Sequence, residues 1–389
     1  VLCYRFRVYP TATQAKDLSV TLDVCRRFYN GLLDERKAGY ENGHTVTKTE
    51  QLRRVKELKA VGLPLFVHSH VLQVVAADLD KAFQNFFRRV KSGDKKIEKI
   101  EKIERTPGYP RYKGQDQFDS FGLKQYANGF KIDGRRLEIS GIGRIAVRWH
   151  REIIGTIKTV RITRRAGKWY ACFACELETE ALPQTGEAVG LDVGISHLLA
   201  TSDGEFVENP RWYRAGQKDL RRVQRSVARK KKGGRNRRKT VLQRHHERVK
   251  NRRKDFLNKV AHRLISRYDV IALEDLRIKN MVRNKHLSKS ILDAGWNYLT
   301  QRLEGKAESA GRRVEFVPAA YTSKTCSRCG AIFENLKLSD RWVECECGLS
   351  LDRDHNAAIN ILCRTRLGHS RWASTQGTGL SVVQEAVGL

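Results

Sequence analysis

Four cysteines in two close pairs, Cys326 with Cys329 and Cys345 with Cys347, stand fifteen residues apart and lead into LDRDHNAAINIL, Leu351 to Leu362. That is the spacing of a small zinc ribbon, in which two knuckles supply four tetrahedral sulfur ligands. A ribbon this short has little core, so the metal is expected to supply much of its folding energy. Structural Zn2+ on these four residues is therefore the first expectation. Two aspartates, Asp352 and Asp354, follow within seven residues of the last cysteine, at the start of a small-residue helix. The segment sets a structural metal site beside candidate catalytic carboxylates, a combination that points to nucleic-acid chemistry.

Charge names the partner class. The 389 residues hold 75 Lys+Arg against 43 Asp+Glu, a formal net charge of +32. Such an excess suits a polyanion, because each neutralised phosphate releases condensed counterions. A ribosomal or histone-like binder without chemistry would carry the same excess. The length suggests two or three domains, and 40% hydrophobic residues suffices for real cores. No apolar run reaches the roughly 18 residues that span a bilayer, so no membrane partner is expected. The chain begins at Val1 and its single methionine is Met281; the expectation is a start residue lost or replaced, and no signal peptide. Nine cysteines, the informative ones in metal spacing, fit a reducing cytoplasm. A cytoplasmic prokaryotic protein, on the nucleoid when bound to DNA, is expected.

The opening YRFRVYP alternates Tyr4, Phe6 and Val8 with Arg5 and Arg7, which predicts a strand with one apolar and one cationic face. Pro10 ends it, and Thr11 with Gln14 makes a capping box for a helix through about Lys37. The pattern stays helical to about Arg105, with apolar spacing at Val71, Val74, Val75, Leu79 and Phe83. The repeat KIEKIEKIE at Lys96–Glu104 reads as a solvated helix end or hinge. Pro107–Gly114 is an extended loop mixing Tyr109 and Tyr112 with Arg111 and Lys113. From about Gln117 to Glu178 short alternating segments predict strands, with hairpin turns at Asp133–Gly134 and Ala166–Gly167. Two β segments around a helical insertion suggest one β-rich domain split in sequence. Cys172 and Cys175 fall in one strand, where period two sends them to opposite faces and away from a shared metal.

Gly186–Gly204 reads as a buried strand, a tight turn at Gly194 and a second strand. Arg211 to Arg267 then holds 23 Lys and Arg against 3 acids, with Gly233–Gly234 dividing two helical patterns. Like charges at helical spacing repel, and an external polyanion relieves them. Arg221, Arg222, Arg225, Arg229, Arg237, Arg238, Arg252 and Arg253 are the candidate contacts here. YDVIALEDL, Tyr268–Leu276, is a continuous apolar run typical of a strand buried on both faces. The Gly- and Ser-rich tail is expected to be disordered.

Three acids occupy places where acids are costly unless used. Asp192 lies in VGLDVGI and Glu274 in VIALEDL, each inside an apolar strand. Burying a lone carboxylate costs several kcal/mol, and roughly that much shifts it toward protonation. Divalent cations reverse that logic, since Mg2+ prefers oxygen ligands and stabilises the ionised form. The third acid comes from Asp352 or Asp354, between which physics alone does not choose. Three carboxylates on neighbouring elements can hold two Mg2+ ions about 3.5–4 Å apart for phosphodiester hydrolysis. Asp275 faces the other side of its strand and is not selected.

GLDVGI, ALEDL, YTSKTCSRCG and LDRDHNAAINIL, in this order, resemble the TnpB family, transposon-encoded RNA-guided nucleases related to type V CRISPR effectors. The match is specific from about Gly186 to Leu362 and looser over YRFRVYPTATQ and Pro107–Glu178. The resemblance implies an α/β RNase H-like (RuvC) nuclease core with an inserted zinc ribbon, a split β-barrel-like wedge domain and a helical recognition domain. Residues 1–10 and 106–182 would be the wedge, 11–105 the recognition domain, and 183–320 the nuclease core with its basic helical hairpin. The ribbon would follow at 321–350, the last core helix at 351–367 and the tail at 368–389. The implied triad is Asp192, Glu274 and Asp354, so the family pattern selects Asp354 over Asp352. The implied partners are a noncoding guide RNA from the transposon end and double-stranded target DNA with a short adjacent motif, the protein being monomeric on its RNA. The second cysteine pair is CxC where many relatives have CxxC.

On this reading base pairing supplies specificity while the protein grips backbone geometry. Tyr4, Arg5, Arg7 and Tyr9 join Tyr109, Arg111, Tyr112 and Lys113 as candidate RNA contacts. Two rivals stay open: a noncatalytic RNA-guided DNA-binding protein, and a guide-independent structure-specific resolvase. A strand-transferring transposase is a third, with no end-joining machinery singled out by the sequence.

Overall fold

Strand β1 (Leu2–Tyr9) buries Tyr4, Phe6 and Val8 and turns Arg5 and Arg7 to its other face, as alternation requires. The computed structural model that shows this describes residues 1–61, 66–92, 108–115, 117–178, 180–230, 232–337 and 339–365, the stretch 232–238 as backbone only. The repeat Lys96–Glu104, the tail and the side chains of Arg237 and Arg238 lie outside the described residues. The described chain divides into two units, Val1–Glu178 and Thr179–Leu389.

In the first unit the Thr11 side chain accepts from Gln14 N while the Gln14 side chain accepts from Thr11 N, the capping box read from the sequence. Helix α1 (Ala12–Glu41) continues past Lys37 because Gly39 remains helical; the stop comes at Gly43, whose φ is +73°. Helices α2 (Lys48–Ala60) and α3 (Ser69–Lys91) complete the insertion, α3 burying Val71, Val75, Leu79 and Phe83 on one stripe. Gln51 and Arg36 tie the three helices together. Its Nε2 donates to Leu32 O at 2.8 Å, and its Oε1 accepts from Arg36 Nε at 2.9 Å. Arg36 also pairs with Asp80 at 2.9 Å.

The strands that follow are β2 (Ser120–Leu123), β3 (Gln125–Tyr126), β4 (Gly129–Asp133), β5 (Arg136–Ile139), β6 (Gly143–Arg148), β7 (Thr156–Arg165) and β8 (Lys168–Glu176). With β1 they form one sheet in the order β2-β7-β8-β1-β6-β5-β4-β3. β1 is central, antiparallel to both neighbours, with Phe6 opposite Ala171 and Val8 opposite Val147. Strand β3 comes back against β7, which curls the sheet around a core shared with α1 and α3. The β-rich region is therefore split in sequence and joined in space. Ala166 and Gly167 both take positive φ, +47° and +74°, the two-residue turn whose twist matches a hairpin. Cys175 is buried on one face of β8 and Cys172 half-buried on the other.

The second unit is built on β9 (Ala188–Val193), β10 (His197–Thr201) and β11 (Phe206–Glu208), followed by α4 (Trp212–Ala215), α5 (Gln217–Ala228) and α6 (Lys232–Arg267). Then come β12 (Val270–Glu274), α7 (Ile278–Met281), α8 (Ser288–Ala294), α9 (Trp296–Ala310) and β13 (Arg313–Val317). The hairpin β14 (Trp342–Glu344) and β15 (Ser350–Asp352) runs into α10 (Arg353–Cys363). The five-stranded sheet has the order β11-β10-β9-β12-β13, with β12 parallel to both β9 and β13 and the β9–β10–β11 pairs antiparallel. The expected division at Gly233–Gly234 is corrected: the helices part at Arg229–Lys230, and the glycines fall in the first turn of α6. First-turn N–H groups lack intrahelical partners in any case, so glycine interrupts little there.

One sheet face carries Val189, Leu191, Ile271 and Leu273 into a core with Leu257 and Leu264 of α6 and Leu299 and Leu303 of α9. The other face is covered by α10, where Ile361 packs on Ala272 and Val317. A Cβ added at Gly190 would lie 2.1 Å from Ala358 O and 2.7 Å from Leu362 N. Only glycine lets the helix backbone come this close. Among the described residues no helix is long and apolar enough to cross a membrane.

Candidate active site and zinc site

The α10 face of the sheet is where the acids meet. Asp192 shares its face with Gly190, and Glu274 shares its face with Ala272, because side chains on a strand alternate. Leu191 and Leu273 are register partners in the parallel β9–β12 pair, so Asp192 and Glu274 stand level, one residue on. Both lie at the carboxyl ends of parallel strands, the edge where open α/β sheets place their ligands. Asp354 comes from α10, one turn before the Ala358 that seats on Gly190. Its Oδ2 lies 3.8 Å from where a Gly194 Cβ would stand, in the turn that ends β9.

Asp352 and Asp354 differ in what their side chains engage. Asp352 is the N-cap of α10 and accepts from Asp354 N at 2.8 Å and His355 N at 3.2 Å. It is committed to the helix end, whereas Asp354 reaches the turn beside Asp192. Asp275 follows the last residue of β12 and is exposed.

Electrostatics ties the three together. Burial pushes the Asp192 carboxyl well above its ordinary range, and the Glu274, Asp354 and, least, Asp352 carboxylates push it further, against the pull of Arg353. Burial also raises Glu274, opposed by the hydrogen bond that Thr322 Oγ1 donates to its Oε1 and by the Arg364 cation. Arg364 is held by Pro318 O and Ala320 O at 2.6 and 2.7 Å. Arg341 and Arg353 approach Asp354 at 3.8 and 3.7 Å. Half-buried carboxylates with oxygen donors only, two of them repelling Asp192, are a donor set that suits a hard divalent cation.

The four cysteine sulfurs lie within 4.8 Å of one another. Cys326 and Cys347 are 3.6 Å apart, and Cys329 and Cys345 are 3.5 Å apart. Tetrahedral thiolates around Zn2+ would stand about 3.8 Å apart, so the set fits zinc. The CxC pair meets this geometry through a tight turn: Gly348 N donates to Cys345 O at 2.8 Å, and Gly348 takes φ +82°. Burial pushes Cys326 up to about 12. Cys347 is brought down to about 7: its burial is outweighed by hydrogen bonds from the Leu349 backbone and the other three thiols.

Two residues that the sequence reading passed over join the ribbon to the helix. Asn356 accepts from Ser327 N at 2.9 Å and donates to Thr325 O at 2.8 Å. Asn360 donates to Thr322 O at 2.8 Å and Thr325 O at 2.6 Å. Their i, i+4 spacing puts both amides on one face of α10, which was the available signal. Thr322 and Arg364 left none, since each finds Glu274 only in the folded chain.

The candidate nucleic-acid contacts divide. Tyr4 is corrected to a core residue: it is 4% exposed, and its hydroxyl accepts from Ile154 N. Tyr109 packs edge-on against Phe83 and Phe86 at 5.6 and 5.3 Å, which commits its ring to the helical insertion. Arg253 is corrected too, since its Nη1 donates to Leu292 O at 2.7 Å and pairs with buried Asp293. Lys113 exchanges backbone hydrogen bonds with the Asn30 side chain. Tyr9 and Tyr112 keep exposed rings, with Arg7 over the first and Lys37 over the second. Arg5 lies over Tyr170, and Arg252 over Trp212. Arg111, Arg221, Arg225 and Arg229 are exposed, as is Arg222, which pairs with Asp219 at 3.4 Å.

Comparison with known proteins places these features in a family. Residues 172–285 match a family described as "Probable transposase", residues 296–361 a "Cas12f1-like, TNB domain", and residues 2–45 a "Helix-turn-helix domain". A "Putative RNA-guided DNA endonuclease" of Streptomyces pristinaespiralis is 33% identical over 371 residues, 92% of this chain and 88% of that one. A "Putative RNA-guided DNA endonuclease InsQ" of Escherichia coli K12 is 30% identical over 92% of this chain and 91% of its own length. The chain belongs to the TnpB family. A TnpB-like protein of Acanthamoeba polyphaga mimivirus, L79, is 38% identical over 34% of this chain and 26% of its own length. The solved mini-RNA-guided endonuclease CRISPR-Cas_phi3 aligns over 98% of this chain and 93% of its own at TM-score 0.48 and 10% identity. In this TnpB-family chain the segment matched as a helix-turn-helix domain is strand β1 and the single helix α1.

Proposed function

We propose that this chain is an RNA-guided DNA endonuclease whose cutting site is the Asp192–Glu274–Asp354 cluster. The observation that carries the reading is the placement of three acids, from two parallel strand ends and one helix, on a single face of the sheet. An acid that served only stability would not be set against two others. The sheet order, three antiparallel strands and then two parallel ones, supports an RNase H-like (RuvC) core. The family relation supports guidance by RNA and DNA as the substrate.

On this reading Asp192, Glu274 and Asp354 hold Mg2+, two ions in the fullest form. Bound there, the metal would activate water and stabilise the leaving oxygen of a phosphodiester. Thr322 and Arg364 orient and charge-balance Glu274, while the N-cap at Asp352 fixes the start of α10 and so the position of Asp354. Cys326, Cys329, Cys345 and Cys347 hold one structural Zn2+. The curled sheet acts as the wedge, the insertion α1–α3 as the recognition domain and the α5–α6 hairpin as a backbone grip. The noncoding RNA, the short adjacent motif, the monomeric state and the cytoplasmic setting belong to the same proposal.

The test is the full chain purified with its copurifying RNA, sequenced to supply the guide, and given matched duplex DNA in Mg2+. Matched DNA should be cut, EDTA should stop the cutting, and Asp192→Ala should abolish it while RNA and target binding persist. Cutting by Asp192→Ala near the wild-type rate would remove the cluster from the chemistry. Binding without any wild-type cutting would leave a guided binder; cutting of branched DNA without RNA would leave a resolvase.

A further inference from the structure

In the same unit as the carboxylates lies a cavity of about 230 Å³ that no step above uses. Four basic side chains line it, Arg211, Arg214, His286 and Lys289. Among the described residues none of the four has an ion-pair or hydrogen-bond partner for its side chain. The acid in its wall, Asp293, is buried and already engaged. Its oxygens accept from Tyr213 N at 2.9 and 3.0 Å and from Arg214 N at 3.3 Å, and Arg253 stands 3.6 Å away. Asp293 therefore holds the cavity floor in shape and leaves its cations uncompensated. Three permanent positive charges and a histidine, all exposed around one cavity, make a basic patch whose field favours an anion.

The cavity and the carboxylates are linked through the turn that ends β9. Ile195 lines it and follows Gly194, the residue beside the Asp354 carboxylate. Asn209 Nδ2 donates to Ile195 O at 2.9 Å, and Trp296 Nε1 donates to Gly194 O at 3.3 Å, so the shared wall is fixed from both sides. A polymer whose phosphate sits at the acids would bring a neighbouring phosphate past this wall.

We propose that the cavity is a second phosphate site, seating a backbone phosphodiester of the DNA strand being cut next to the one at Asp192, Glu274 and Asp354. The site rests on the endonuclease reading and adds to it a fixed reference for the strand. Arg214 and Lys289 are positioning residues: they hold the strand's register and touch no reacting atom. Phosphate contacts of this kind carry position and no base information.

The experiment replaces single phosphates of the cut strand with neutral methylphosphonates, one at a time on either side of the cut. Cleavage is measured for the RNA-loaded wild type, Arg214→Ala/Lys289→Ala and Lys289→Arg. Both side chains are exposed and unpaired, so melting and zinc content should match wild type. One flanking position should slow the wild type about tenfold, the scale of a charge-assisted hydrogen bond. The double variant should show that loss on ordinary DNA and lose nothing more at that position, while Lys289→Arg keeps the sensitivity. Wild-type rates in the double variant, or full sensitivity retained at the same position, would overturn the site. Weakened guide-RNA binding with unchanged DNA handling would assign the cavity to RNA and overturn it equally. A parallel arm measures binding of the same methylphosphonate single strands in Ca2+, where the neutral position should weaken wild type and not the double variant. That arm reads the cavity by itself; absence of any guided cutting would count against the endonuclease reading alone.

Discussion

Replacing Gly190 with alanine should separate cutting from binding. The new Cβ would stand 2.1 Å from Ala358 O, 2.7 Å from Leu362 N and 2.9 Å from Leu362 Cβ. Backbone on both sides leaves no flexible end to give way, so α10 must lift from β9 by roughly an ångström to restore ordinary contact. Overpacking of this kind costs about 1–3 kcal/mol, a fall of roughly 2–12 °C in the melting of the second unit. Asp354 rides on the same helix, one turn from the clash. A misplacement of about 1 Å at a catalytic group can cost about 100-fold in rate, so cleavage should drop by about that factor while guide and target affinity hold. Single-turnover cleavage on saturating target, beside a melting curve, measures both. Gly305→Ala is the control, since nothing lies within 4 Å of its added methyl on α9. It should gain about 0.5–1 kcal/mol from helix propensity and cut normally. A Gly190→Ala protein that melts and cuts like wild type would refute the close seating. One that melts lower yet cuts normally would show that Asp354 does not depend on it.

Asp192→Asn, in Mg2+-free buffer at neutral pH, should melt above wild type, because the folded state raises the carboxyl's pKa above 3.8 and so stability falls as pH climbs past that value. The gap should close as the pH drops toward 4, and a gap that widens there would contradict the burial. Zinc should be present at one equivalent per chain and be lost with Cys326→Ser/Cys329→Ser; elemental analysis finding none in active protein would rule the site out. Arg225→Ala/Arg229→Ala should weaken binding at every sequence and flatten the log–log salt dependence by about 0.9 per duplex phosphate or about 0.7 per single-strand phosphate lost. An unchanged slope, or a switched motif preference, would move recognition into the α5–α6 hairpin.

Asp192 and Glu274 could be read from the chain because an acid inside an apolar strand is an anomaly that sequence alone displays. The four cysteines were legible for the same reason, as spacing carries a ligand set without any fold. The choice between Asp352 and Asp354 was not legible in the chemistry of the residues, since both begin one helix; the family resemblance chose Asp354, and in the fold Asp352 is taken up by the N-cap hydrogen bonds. Alternation in β1 announced the buried face that holds Tyr4, yet an aromatic among cations also suggested stacking, and burial decided against it. Gly233–Gly234 looked like a helix break because glycine is costly inside helices, a cost that fades in a first turn. Arg211 and Arg214 lie far in sequence from His286 and Lys289, so no local pattern announces their cavity.

The place of β1 in the middle of its sheet sets an order of events during synthesis. Arg7 waits for Arg148, and Val8 for Trp169, before either hydrogen-bonded edge is filled. Helices α1 to α3 close local contacts in the meantime, so they can form while the strand before them has no partner. Such long-range pairing is slow, since loop closure must precede any stabilising contact. Until then Tyr4, Phe6 and Val8 present an apolar ribbon with both edges open, the kind of segment that pairs with other chains. Expression at lower temperature, or with a chaperone that holds the emerging N-terminal segment, should raise the soluble yield more than stabilising the finished fold would.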